Sequence, residues 1–347
     1  MIKILLATCL GLLSLTLRAA DDCGQGSALT SVCGLTAPED IELAGDSQSL
    51  LVGEMILGGR LMALKIDSVT EEPRELYPAL SVEGAADWGS DDCTVYPDQM
   101  TFHGIDLSER ENGQWQLLVV NHGLRESVEF FQVVTDELGT PESLVWRGCV
   151  LAPDGESLND VAALPGGGFL STTPFVGSEL WSIAKALVGF NTGYVRQWEQ
   201  NSGWRRVPNT EGRYPNGVIA ASDGSQFHVN MYIDGLVKTF ALDGTELGSA
   251  TVLNGDNLSW GQDGKIRIAS HRAGKLEMVQ ALEASPETNL QIPFAILEYE
   301  PGNGEVKEIF VHDGSEFGAA TVAQQVGSKL VMGSFKGTRI AIVEVDE

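Results

Sequence analysis

Glu39, Asn159, Asn216, Asp256 and Asn257 carry only oxygen donors, and each stands just ahead of an apolar residue opening a short run: Ile41, Val161, Val218 or Leu258. Carboxylate and amide oxygens, with no thiolate or imidazole among them, suit a hard cation such as Ca2+ rather than zinc or copper. The two carboxylates balance the ion's charge. Because Ca2+ takes about six to eight oxygens, five protein ligands leave coordination positions for water and a substrate, as a catalytic metal requires.

These residues acquire a common location from the elements around them. Short alternating or apolar runs are separated by Asp-Gly turns at 154–155, 223–224, 234–235, 243–244, 263–264 and 313–314, the signature of antiparallel strands in tight succession. From Asn216 the chain reads as a four-stranded meander, with strands at 226–232, 236–242 and 246–253, and a second unit opens at Asp256. Polar pairs interrupt the first strand of each unit: Glu39-Asp40, His103-Gly104, Asn159-Asp160, Asn216-Gly217 and Asp256-Asn257. They recur at intervals of roughly 40 to 65 residues, the period of a propeller blade. A sixth unit is expected between about 294 and the C-terminus, with 318–323 as its inner strand. The chain is therefore expected to be an all-β, six-bladed β-propeller in which the starts of the first strands converge on the axis. One helical insertion is expected in the third blade, at about 178–190, from the spacing of Leu180, Trp181, Ile183, Ala184, Leu187 and Val188. It serves either as a lid over one face or as a helix on the blade edge. Specificity is expected in the long segments 175–214 and 294–317.

A formal charge of −26 over 347 residues excludes nucleic acid and anionic lipid as partners recognised by bulk charge. Residues 1–20 have Lys3, an apolar run at 4–17, and Ala19-Ala20; they read as a secretory signal peptide, too short for a membrane span, with a retained anchor as the alternative. Residues 21–347 then form one propeller domain, periplasmic or secreted, with no integral membrane span. Cys23, Cys33, Cys93 and Cys149 remain, an even number that fits disulfides in an exported protein. Closeness in sequence favours Cys23 with Cys33, leaving Cys93 with Cys149; four free thiols are the alternative. No GxSxG elbow, HExxH or P-loop occurs. Gly166-Gly167-Gly168 reads as a hairpin turn.

The order of Pro38-Glu39-Asp40-Ile41, Phe102-His103-Gly104-Ile105, Val119-Val120-Asn121-His122, Leu158-Asn159-Asp160-Val161, Pro215-Asn216-Gly217-Val218 and Asp256-Asn257-Leu258 resembles the paraoxonase, gluconolactonase and regucalcin group of six-bladed calcium-dependent hydrolases, above all the paraoxonases. The resemblance implies two Ca2+ ions per chain. One, catalytic, is held by Glu39, Asn159, Asn216, Asp256 and Asn257; the other, structural, by Asp40, Asp160 and the backbone carbonyl of Ile105. It further implies a base and supporting partner at His103 and His122, with His271 near the pocket and a small-molecule lactone or ester as substrate. Asp256 and Glu39 are rivals for the role of base.

The chain departs from the paraoxonases in having Val343 where those enzymes close the propeller with a terminal cysteine, so closure rests on strand pairing. Ser171-Thr172-Thr173-Pro174 lacks a pocket histidine found in several of them, which argues against aromatic-ester or organophosphate activity and for a general lactonase or esterase. Two other classes fit the same architecture: a non-catalytic propeller that keeps calcium for stability and binds a partner, and a metal-independent propeller resembling strictosidine synthase. The complete oxygen-ligand set speaks against the second.

Overall fold

The computed structural model describes residues 29–68 and 72–345. Six mainly antiparallel sheets of four or five strands follow one another along the described residues, each meandering outward from an inner strand, with a further two-stranded ladder between Glu156–Ser157 and Phe175–Val176. The inner strands are Pro38–Leu43, Phe102–Glu109, Val161–Ala163, Pro215–Ala220, Gly255–Trp260 and Ala320–Val326. The fourth blade is the plain case, with Gln226–Met231, Leu236–Ala241 and Glu246–Thr251 following its inner strand. The second blade gains a fifth strand, Ser81–Glu83, paired in parallel with Pro141–Leu151.

Ring closure is made by the N-terminal strand Thr30–Cys33, which lies antiparallel to Arg339–Glu344 with Thr30 opposite Ile342 and Cys33 opposite Arg339. Strand pairing therefore closes the propeller, as the sequence led one to expect. Val32, Ile340 and Ile342 bury their side chains in a cluster shared with Ile41, Leu50 and Val52 of the first blade. This first-to-sixth seam shields the closing hydrogen bonds from water. Comparable apolar seams lie between the other neighbouring blades. Between the second and third, Phe169 stacks on Trp198 at 5.4 Å and meets Phe130 edge-on at 5.9 Å. Each such ring removed from water contributes about 1.5–3 kcal/mol.

The Asp-Gly pairs behave as turn chemistry demands: every one of the six glycines has a positive φ, open to glycine at no steric cost. The pairs at 223–224, 234–235, 243–244 and 263–264 join neighbouring strands, whereas 154–155 and 313–314 lie where the chain leaves one blade for the next. The fifth blade extends further than expected. Phe294–Glu300 and Glu305–His312 are its outer strands, and the sixth blade begins at Ala320.

The expected helix in the third blade is α1, Glu179–Leu187. Ser178 caps it by accepting a hydrogen bond from the Trp181 N–H, and Glu179 and Lys185 complement the helix dipole at its two ends. A second helix, α2, Lys275–Glu283, lies in the fifth blade and was not legible in the sequence. No helix among the described residues is long and apolar enough to cross a membrane. Cys93 and Cys149 form a disulfide that ties the loop before the second blade to that blade's outer strand; the expected Cys23–Cys33 pair and the signal at 1–20 involve positions outside the described residues.

Candidate active site

The polar pairs that interrupt the inner strands are places where the strand ladder breaks. Register shifts occur between Pro38 and Asp40, Phe102 and Ile105, Pro215 and Val218, and Gly255 and Leu258. A bulge leaves a residue unpaired and re-aims its side chain, which is how Glu39, His103, Asn216 and Asp256 come to line one cavity at the axis. Gly104 and Gly217 complete the arrangement, because a Cβ at either would run into the next blade's Asp160 or Asp256-Asn257 backbone.

The cavity has a volume of about 730 Å³. Glu39, Asn159, Asn216, Asp256 and Thr321 form part of its lining, and α1 contributes Glu179, Ile183 and Leu187, one turn apart along a single face. The helix thus faces the cavity instead of the blade edge, leaving Leu180, Trp181 and Val188 exposed on its outer side. Met278 and Leu282 from α2, with Met55, Phe175 and Phe335, extend the apolar wall. Of the segments expected to set specificity, 175–214 does supply wall residues, and its ends meet where Phe175 and Tyr214 lie 6.1 Å apart. The segment 294–317 supplies none.

Three side-chain oxygens among this set are buried without a hydrogen-bond donor: Glu39 Oε2, Asn159 Oδ1 and Asn216 Oδ1. Buried oxygens in that state are costly unless something positive sits against them. Asn257 stands behind Glu39 and donates from Nδ2 to its Oε1 at 2.9 Å. No cluster of three or more His, Cys, Asp or Glu side chains with metal-holding geometry occurs among the described residues; the set here is amide-rich, with Asn159, Asn216 and Asn257 making up three of its five residues.

Asp40 and Asp160 play a different part. Asp40 accepts the N–H of Ile41 at 2.9 Å and of Ile105 in the second blade at 2.8 Å. Asp160 accepts those of Val161 at 2.8 Å and of Val218 in the fourth blade at 2.7 Å. Each carboxylate satisfies a bulge N–H on the next blade, and each oxygen retains a second lone pair. It is the Ile105 N–H, not its carbonyl, that Asp40 touches.

Crowding acids along a buried axis raises their pKa values. Burial, then repulsion from Asp40, Asp256 and Asp160, holds Glu39 well above the usual carboxylate range. Burial raises Asp256 to about 8 and Asp40 to about 7. Lys336 is the one Lys or Arg among the described lining residues, and its ammonium donates to the Ala284 carbonyl.

On one side of the cavity His103 Nδ1 and His122 Nε2 are 2.7 Å apart, and His103 Nε2 receives the Asn159 Nδ2 at 3.2 Å. Burial, then the neighbouring His122, pushes the His103 pKa well below its ordinary value, so the ring is neutral and able to accept a proton. Opposite, the Nδ1 of the buried His271 lies 2.9 Å from the Tyr232 hydroxyl, and its Nε2 lies 3.6 Å from Asp256 Oδ2. Burial lowers its pKa to about 4, which makes that approach a polar contact and not an ion pair. His228 and His312 lie elsewhere: the first is buried against Thr239, and the second accepts the Gly314 N–H.

The structure adds residues that the sequence did not single out. Glu126 joins the histidine pair through His122 Nδ1 at 2.8 Å; its position four residues after His122, in a turn, was the available signal. Tyr214 lines the wall from a backbone with φ 63°, and Asn230 is buried behind the floor, donating to the Asp256 carbonyl. Neither has a local sequence mark.

A family model described as Arylesterase matches residues 92–341. Among solved structures, a putative gluconolactonase superposes over 94% of this chain and 94% of its own, with a TM-score of 0.54 at 15% identity. A luciferin-regenerating enzyme does so over 92% and 97%, with a TM-score of 0.54 at 10% identity. At such identities the likeness speaks for the six-bladed fold. No curated protein sequence matches the chain.

Proposed function

The chain belongs to the arylesterase family, and on that premise we propose that it is a calcium-dependent hydrolase of lactones or carboxylic esters. The observation that carries the calcium reading is the trio of buried, donorless oxygens on Glu39, Asn159 and Asn216. With Asp256 and Asn257 they would hold a catalytic ion; Asp40, Asp160 and the Ile105 carbonyl would hold a structural one. When bound, calcium polarises a substrate carbonyl and offers a counter-charge to the developing oxyanion. The residues do the rest. His103 takes the proton of an attacking water at Nε2, His122 holds the His103 ring in place, and Ile183, Leu187, Met278 and Leu282 offer an apolar wall to the acyl portion. Residues 1–20 direct the chain from the cytoplasm into an oxidising compartment, in which a disulfide such as Cys93–Cys149 persists.

The test is a panel of γ- and δ-lactones, aryl esters and sugar lactones, assayed with and without chelator. Turnover of at least one class that chelator abolishes and calcium restores is expected; turnover indifferent to chelator would sink the calcium reading.

A second expectation concerns pH. Asp256 and Asp40 titrate near 8 and 7 in the folded chain against about 4 in an unfolded one. Between those values the folded state holds protons that the unfolded state has released, so stability falls as pH rises from 5 to 8 while calcium is withheld. Bound calcium favours the charged carboxylates and opposes the fall. Thermal melts should show a calcium-dependent gain in Tm on the order of 10 °C at pH 8, shrinking toward pH 5. A gain that is constant across this range would contradict the assignment.

A further inference from the structure

Glu126 does more than border the cavity. One carboxylate oxygen, Oε2, lies 2.8 Å from His122 Nδ1, and the other, Oε1, accepts the Leu158 N–H at 2.7 Å. Leu158 immediately precedes Asn159, so a single carboxylate links the second-blade turn bearing His122 to the third-blade segment bearing a floor amide. The turn itself is firmly built. Asn121 Oδ1 accepts the N–H groups of Thr101 at 3.0 Å and Gly123 at 2.8 Å, and Arg125 makes two 2.8 Å bonds to the buried Glu129. The Glu126 carbonyl accepts the Ala152 N–H at 3.0 Å.

We propose that Glu126 is a positioning residue that fixes where the protons sit on both histidines, so that His103 presents an unprotonated Nε2 to the cavity. The logic is one of donors and acceptors. An ionised carboxylate can only accept, so His122 carries its proton on Nδ1. In a neutral ring Nε2 is then an acceptor, and the 2.7 Å contact with His103 Nδ1 requires the proton there. A neutral imidazole with Nδ1–H has its lone pair on Nε2. The far end of the chain reaches the same answer independently. Asn159 leaves Oδ1 without a donor on the floor and turns Nδ2 toward His103 Nε2 at 3.2 Å, a contact that requires Nε2 to accept. Glu126, His122, His103 and Asn159 thus form one unbroken series with a single consistent placement of protons.

The proposal rests on the reading of His103 as the base, and its test separates the two. Glu126→Gln keeps the shape and an oxygen for the Leu158 N–H, but turns an NH2 group toward His122 Nδ1. That reverses the series: His122 must protonate Nε2, His103 must accept at Nδ1, and Nε2 of His103 acquires the proton. Histidine ring nitrogens are read directly by nitrogen-15 NMR, and the chain has only five histidines to assign. The wild-type enzyme should show Nδ1–H on both His103 and His122, and the variant Nε2–H on both. In parallel, kcat should fall by about 10²-fold or more with KM within about twofold, since a wrong tautomer in a hydrolytic relay costs up to about 10⁴-fold. An unchanged nitrogen pattern in the variant overturns the proposal. Should Glu126→Gln fail to fold, the wild-type spectrum decides alone, because Nε2–H on His103 there overturns it equally. Reversal of the pattern with kcat intact would leave Glu126 as the tautomer-setting residue and remove His103 from the role of base.

Discussion

Asn216→Ala is expected to lower kcat/KM for ester or lactone hydrolysis by about 10³-fold while leaving the protein folded. Asn216 Oδ1 is buried on the cavity floor with no donor, so its removal deletes a cation ligand at the cost of a single side-chain hydrogen bond, to Asp256. The loss of one well-placed electrostatic partner of the reacting carbonyl costs about 2.7–4 kcal/mol, which is of the size stated. Asp160→Ala is the instructive contrast. It would strip the Val161 and Val218 N–H groups of their acceptor, and each unsatisfied buried donor costs about 1–3 kcal/mol. Melting temperature and kcat/KM measured on both variants should therefore separate them: Asn216→Ala loses activity with the smaller change in Tm, whereas Asp160→Ala, which strips two backbone N–H groups, loses several degrees. Full activity in Asn216→Ala, unresponsive to chelator, would remove the amide from the metal set and with it the main support for calcium.

The contrast between these two residues also explains what could be read from the chain before its structure. Asn-Gly, His-Gly and Asp-Asn ahead of an apolar run are legible because a polar pair inside a strand pattern has few physical outlets, and a bulge at the axis is one of them. The sixth blade lacked that mark. Its inner strand carries Thr321 at the equivalent point, where the hydroxyl donates to the Glu39 carbonyl at 2.6 Å, and a threonine within a strand looks like ordinary strand composition. The fifth blade was consequently cut short. The parallel strand Ser81–Glu83 depends on a partner about sixty residues away, beyond any local pattern. Helix α2 offers no Ser, Thr, Asp or Asn at its start; Gly274 stands there, and its N–H is capped by Glu277. Tyr214 and Tyr232 are wall residues only because three blades converge, which spacing along one strand cannot reveal.

His103→Gln should lower kcat by about 10² to 10⁴-fold, the range assigned to a positioned general base, with KM changed by less than about threefold. The side chain is only partly buried and projects into the cavity, so the loss ought not to come from unfolding; Gln retains a polar group for the 2.7 Å contact with His122. The pH profile carries a second, independent signature. A base must be unprotonated, and activity is lost as pH falls through its pKa. Burial and the neighbouring His122 depress that pKa well below 6.5, which displaces the acid limb of kcat/KM below the range of an ordinary histidine. The rival bases are Asp256 and Glu39, both placed on the floor and both predicted to hold metal. If either removes the proton, His103→Gln keeps its rate and its acid limb. If His103 is the base, the limb vanishes in His103→Gln and the residual rate no longer falls over the acid range in which the wild type loses activity. The two assignments thus predict opposite outcomes from His103→Gln.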